Sequence, residues 1–87
     1  MPTKAIIERV RELKAELAKT EPHPSTAADF EAIEKQVDTV LLEPGYAPHY
    51  LSLRDKLLYA YDGFELRHPK LAGLFENVTT ELAEVGI

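Results

Sequence analysis

Proline and glycine interrupt this 87-residue chain at intervals that leave four segments of similar length. A helix usually ends at or before the residue that precedes a proline, and glycine commonly follows the last helical turn. Each segment is therefore expected to form a separate element of secondary structure. The interruptions are Pro22 and Pro24, Pro44-Gly45 with Pro48, the His68-Pro69 pair, and Gly86.

Apolar side chains recur three or four residues apart in every segment, which is the spacing of one face of an α-helix. No stretch alternates apolar and polar residues for long enough to predict a strand. The pattern predicts helices over about residues 3–20, 26–43, 49–67 and 69–85. The apolar stripes are Ile6, Val10, Leu13 and Leu17; Phe30, Ile33, Val37 and Val40 or Leu41; Tyr50, Leu53, Leu57, Tyr61 and Phe64; and Leu71, Phe75, Val78, Leu82 and Val85.

The predicted fold is all-α and forms one domain over residues 1–87. Short connections make consecutive helices antiparallel neighbours, which gives an up-down bundle or two helical hairpins of four short antiparallel helices. The third and fourth stripes stay in phase across His68-Pro69, so these two segments can also form one helix kinked at Pro69. Proline is favourable at the first position of a helix and breaks a helix interior, which favours two separate helices.

Two helix ends carry capping signals. Ser25 or Thr26 is expected to cap the second helix, because Asp29 follows Thr26 by three residues in an aspartate form of the capping box. Gly86 is placed to cap the carboxyl end of the fourth helix.

Composition excludes several classes of protein. The absence of cysteine rules out disulfides, thiolate zinc sites and a cysteine nucleophile. The net charge of −5 without a basic cluster argues against a nucleic-acid partner. No segment reaches the roughly 18 apolar residues of a membrane span, and charges interrupt the amino terminus early, so a cytoplasmic protein without membrane contact is expected.

The sequence offers little support for catalysis. Ser25 and Ser52 are the only serines, and neither has the glycine-flanked setting of a nucleophile elbow. The four glycines stand singly, so no phosphate-binding loop is formed. We expect no enzymatic activity, no catalytic residues and no cofactor.

Glu65 and His68 are candidate metal ligands, because two ligands three residues apart share one helix face. Carboxylate-bridged di-iron bundles use a Glu-x-x-His from each of two helices, and a homodimer supplies a second copy. Pro69 opposes this reading, since it removes His68 from regular helix and makes it the cap of the fourth helix. His23 lies in the first connection, at the same end of a bundle as His68, and the two histidines can form a metal-binding or pH-sensitive pair.

The third segment is apolar on more than its core stripe, since Leu51, Leu58, Tyr59 and Leu66 lie further round the helix. Exposed apolar patches on small proteins often mark association, so these residues are a predicted interaction surface. Tyr46 and Tyr50 are added to this surface, because tyrosine is enriched at protein contacts. The alternatives are ordinary surface exposure for the second stripe and, for the tyrosines, a plug that closes one end of the bundle.

The last 24 residues resemble the carboxyl terminus of a family of short bacterial proteins classed as a domain of unknown function. The first segment resembles the start of that family more loosely, and E-P-G-Y-A-P-H-Y in the middle does not align with its pattern. The resemblance implies a small bacterial helical protein, with no activity, substrate or cofactor attached. The matching positions are Phe64, Glu65, His68, Pro69, Leu71, Val78, Leu82, Gly86 and Ile87.

The sequence as a whole predicts a homodimeric interaction or structural module without catalytic activity, which binds itself or an unknown protein partner. The alternative is a metal-binding protein whose site is built symmetrically from Glu65 and His68.

Overall fold

The computed structural model describes residues 4–87 and contains four α-helices over that range. A single 3-10 turn, Pro24–Thr26, precedes the second helix. The predicted start of the first helix at residue 3 lies outside the described residues. The described range contains no strand, and none of its helices is long and apolar enough to cross a membrane. The helices are α1 (Lys4–Lys19), α2 (Ala27–Leu42), α3 (Ala47–Arg67) and α4 (Pro69–Glu84).

The chain breaks at His68, between α3 and α4. His68 has φ −140° and ψ 68°, outside the helical region. Its N–H still closes α3 by donating to the Phe64 carbonyl at 2.6 Å, and its own carbonyl accepts from Ala72 in the first turn of α4. Pro69 occupies the first position of α4, where its missing N–H leaves no helical bond unmade. The alternative of one kinked helix is therefore wrong.

The four helices form an up-down-up-down bundle. Each helix packs against its neighbours in sequence, and α1 also packs against α4, which closes the ring. Diagonally opposite helices do not approach each other within the described residues. α3 is the longest of the four helices, and it starts at Ala47 with Pro48 in its first turn, two residues before the predicted start.

The predicted stripes supply the core. Nearly all of their residues are buried, and Leu41, Tyr61 and Val85 pack against the core from its edge. Two buried alanines, Ala60 and Ala72, complete it. The buried apolar residues are Ile6, Val10, Leu13, Leu17, Phe30, Ile33, Val37, Val40, Tyr50, Leu53, Leu57, Ala60, Phe64, Leu71, Ala72, Phe75, Val78 and Leu82.

The two predicted caps have different outcomes. Gly86 has φ 84°, in the left-handed region, and it ends α4 as predicted. The Ile87 N–H donates to the Leu82 carbonyl and the Gly86 N–H donates to the Ala83 carbonyl, which is the pattern of a Schellman motif. The predicted capping box before α2 does not form, since the Thr26 side chain makes no capping hydrogen bond. The Thr26 hydroxyl is buried and bonded elsewhere.

Candidate functional site

The first and third connections meet at one end of the bundle through the Thr26 hydroxyl. Thr26 is only 4% exposed. Its Oγ1 donates to the His23 carbonyl at 3.2 Å and lies 3.2 Å from His68 Nε2. The His23 ring bonds within its own connection, with its Nδ1 accepting the Ser25 N–H at 3.0 Å. The Thr26 hydroxyl thus joins segments that lie 42 residues apart in sequence.

The His68 ring is half-buried against aromatic side chains. Its centroid lies 5.4 Å from that of Phe64 and 6.1 Å from that of Phe30. Burial lowers the pKa of His68, and the nearby His23 and Arg67 lower it further. The connections that carry His23 and His68 thus meet through Thr26, and the two rings have different hydrogen-bond partners.

Glu65 and His68 do not come together as metal ligands within one chain. The Glu65 carboxylate accepts a hydrogen bond from the Tyr61 hydroxyl at 3.1 Å, whereas His68 Nε2 bonds to Thr26. Across residues 4–87, no three histidine, aspartate or glutamate side chains are grouped to hold a metal ion. His68 occupies the cap position of α4 as predicted, but its side chain makes no capping bond.

Tyr61 joins α3 to α4 through two carboxylates, a contact that the sequence analysis did not foresee. Its hydroxyl donates to Glu65 on its own helix and to Glu76 on α4. One phenolic proton serves two acceptors, so these carboxylates share it. The hydrogen bond to Glu76 is the main reason that the pKa of Tyr61 is raised. The i, i+4 spacing of Tyr61 and Glu65 was the available sequence signal; the Glu76 contact depends on the packing of α4.

A shallow apolar groove runs beside this contact, between α3 and α4. It has a volume of about 220 Å³. The buried residues Leu57 and Phe75 form its floor, and more exposed residues form its rim. Core side chains are therefore reached from the surface at this point. The lining residues are Leu57, Leu58, Tyr61, Phe75, Glu76 and Thr79.

Four large apolar side chains are exposed on the outer side of α3. At 100° per residue they lie about 100° to 200° from Leu57, opposite the core stripe. Leu51 is 40% exposed, Leu58 60%, Tyr59 84% and Leu66 83%. We refer to these four residues as the α3 face. All four are residues that the sequence predicted for an interaction surface.

The two other tyrosines predicted for that surface differ in exposure. Tyr46 is exposed at the start of α3, where its ring packs edge-on against His49. Tyr50 is fully buried, so its assignment to a surface is wrong. Its hydroxyl donates to the Pro44 carbonyl at 2.6 Å, and the ring closes the α2–α3 end of the bundle as the alternative plug. Leu42, also exposed, lies at the end of α2 and away from the α3 face.

These features define a small antiparallel four-helix domain with one helix apolar on both its inner and outer sides. The chain belongs to the family described as Domain of unknown function (DUF4404), whose model matches residues 6–87. The predicted membership of a family of unknown function is thus confirmed, and the match extends through the middle residues that the resemblance left unaligned. No curated protein and no solved structure matches this chain.

Proposed function

We propose that this protein is a homo-oligomeric interaction module, which acts by contact between helices rather than by catalysis. The α3 face is its contact surface. The observation that carries the proposal is that four large apolar side chains share the outer side of one helix, although the bundle core is complete without them.

The free energy of association comes from removing this face from water. Burying a fully exposed leucine side chain contributes about 1.5–3 kcal/mol, and the three leucines and one tyrosine of each copy set this gain against the translational and rotational freedom lost on association. A chain of this size buries only about 60–65% of its unfolded surface, and association adds to its modest stability. Single exposed leucines are common on monomers, but four large apolar side chains on one side of the same helix are typical of contact surfaces, although Asp55 and Asp62 lie between them on α3.

The experiment is sedimentation velocity over a concentration range that reaches the high micromolar. The wild-type chain should sediment as a dimer, or as a concentration-dependent mixture. Leu51→Glu combined with Leu58→Glu should give a monomer with unchanged helical circular dichroism, because both side chains are exposed. Leu42→Glu is the matched control, since Leu42 is as exposed as Leu66 but lies off the α3 face, and it should leave association unchanged.

A clean wild-type monomer at the highest concentration would refute the proposal. Equal loss of association in Leu42→Glu would show that the effect comes from added negative charge and not from the α3 face.

A further inference from the structure

The α3 face is symmetric about its own centre. Leu58 and Tyr59 are adjacent; Leu51 lies seven residues before Leu58, and Leu66 lies seven residues after Tyr59. Since a helix rises about 1.5 Å per residue, the two outer leucines lie about 11 Å on either side of the centre. The same pattern of large apolar side chains is therefore met in either direction along the helix.

A face with this symmetry fits a second copy of itself that runs in the opposite direction. A two-fold axis perpendicular to α3, between residues 58 and 59, brings Leu51 against Leu66 of the second copy at both ends. Leu58 and Tyr59 then meet their own counterparts at the centre. A two-fold contact of this kind uses the same patch on both subunits and closes without further copies.

The charges beside the α3 face favour the same direction. Arg54 and Lys56 lie before its centre, whereas Asp62 and Glu65 lie after it, with Arg67 as the one basic residue of the second half. An antiparallel pair brings the basic half of each helix alongside the acidic half of the other, and a parallel pair brings like charges together.

Asp55 departs from this arrangement, because it is an acidic residue in the basic half. It forms an ion pair with Arg54 of its own chain at 2.9 Å. In the antiparallel pair Asp55 comes opposite Asp62 of the second copy, so Arg54 lies near both carboxylates. The contrast between the two halves is kept, since Arg54, Asp55 and Lys56 together leave one net positive charge before the centre, and Asp62, Glu65 and Arg67 leave one net negative charge after it. Lys56 makes no ion pair in the described structure, and its ammonium donates to the Ser52 hydroxyl.

We propose that two copies of this chain pair antiparallel through α3, with Leu51 of each copy packed against Leu66 of the other. This inference deepens the proposed self-association and rests on it.

Cysteine cross-linking tests the direction of pairing, because the natural chain has no cysteine. Leu51→Cys and Leu66→Cys are made separately and treated with a short bismaleimide, alone and as a mixture. The antiparallel pair predicts a covalent dimer in the mixture, whereas each variant alone stays uncross-linked, because like positions are then about 22 Å apart. Glu31→Cys, exposed on α2, measures cross-linking by random collision.

Charge reversal gives a second readout. Arg54→Glu and Glu65→Arg should each weaken association several-fold, and the double variant should recover it, since the antiparallel pair places these positions beside each other on the two copies. Both side chains are at the surface, so circular dichroism should be unchanged in all three variants.

The outcomes separate the two proposals. A wild-type monomer, with cross-linking no higher than in Glu31→Cys, refutes self-association itself. A wild-type dimer in which Leu51→Cys and Leu66→Cys each cross-link alone, or in which their mixture does not, refutes only the antiparallel α3 pairing.

Discussion

Thr26 accepts a hydrogen bond from His68, and through it the first connection is joined to the third. Because the single hydroxyl proton of Thr26 is donated to the His23 carbonyl, its oxygen is left to accept from the His68 ring at 3.2 Å. That places a proton on His68 Nε2 in the neutral ring. The hydroxyl is thus fully used in a position where water hardly reaches it.

Replacing Thr26 with valine should destabilise the bundle. The change keeps the branched shape but removes the hydroxyl, which leaves the His68 N–H without its partner, whereas the His23 carbonyl still accepts the Thr26 backbone N–H at 2.9 Å. The expected cost is about 1 kcal/mol in the free energy of unfolding. Urea unfolding followed by circular dichroism measures it. Thr39→Val is the matched control, because the Thr39 hydroxyl bonds only to the Lys35 carbonyl within an exposed turn of α2. Equal effects of the two changes would contradict the bridging role.

His68 should make the free energy of unfolding depend on pH. Its pKa is lowered by burial and then by His23 and Arg67, so the unfolded chain binds the proton more readily than the folded one. The contribution of the neutral ring is complete above the ordinary pKa of 6.5 and is lost as the pH falls through that value towards the lower pKa of the folded state. Stability should therefore decline as the pH falls below about 6.5, above the range in which most carboxylates titrate.

Urea unfolding at a series of pH values measures this decline, with His68→Gln as the test. The glutamine amide can still donate to Thr26 but cannot take up a proton, so the decline should largely disappear. His49→Gln, which leaves His68 in place, should retain it. A decline that persists unchanged in His68→Gln would assign it to other groups.

The fold followed from the sequence because its two strongest signals are local. The three- and four-residue spacing of side chains such as Leu13 and Val37 fixed which face of each helix is buried, and Pro69 fixed where the chain breaks. Gly86 could be assigned as a cap because a left-handed turn at a helix end favours glycine.

The predictions that were wrong concern residues whose contacts form only in the folded chain. The sequence around Tyr50 does not distinguish it from an exposed tyrosine. Its burial depends on the folded α2–α3 connection, which brings the Pro44 carbonyl to its hydroxyl. Thr26 has the sequence of a cap, but α3 brings His68 to its hydroxyl. The exposure of Leu58 and Leu66 could be derived from helical geometry, whereas the link from Tyr61 to Glu76 depends on how α4 packs.

Tyr61 should ionise at a higher pH than a free tyrosine. Donation to Glu76 is the largest cause, followed by burial and by the hydrogen bond to Glu65, because each favours the neutral phenol beside the carboxylates. Phenolate absorbance, measured as the difference between the wild-type chain and Tyr61→Phe, isolates this group from the other tyrosines.

Glu76→Gln should move this ionisation to lower pH, since it removes the main negative acceptor. Glu65→Gln should move it less. If the difference spectrum of Tyr61 showed the ordinary midpoint near pH 10, the shared hydrogen bond would not persist in solution.

Two glycines, Gly73 inside α4 and Gly86 just beyond its carboxyl end, should respond oppositely to alanine. Gly73 lies inside the helix and a methyl group there would meet nothing within 4 Å, so Gly73→Ala should raise the free energy of unfolding by about 0.5–1 kcal/mol. Gly86 also has open space around it, but its φ of 84° is strained for any residue with a Cβ, so Gly86→Ala should lower the free energy of unfolding by about 1 kcal/mol. Urea unfolding of the two variants measures both changes. Because neither methyl group meets a neighbour, the contrast depends on backbone conformation alone, and equal effects of the two substitutions would contradict the left-handed end of α4.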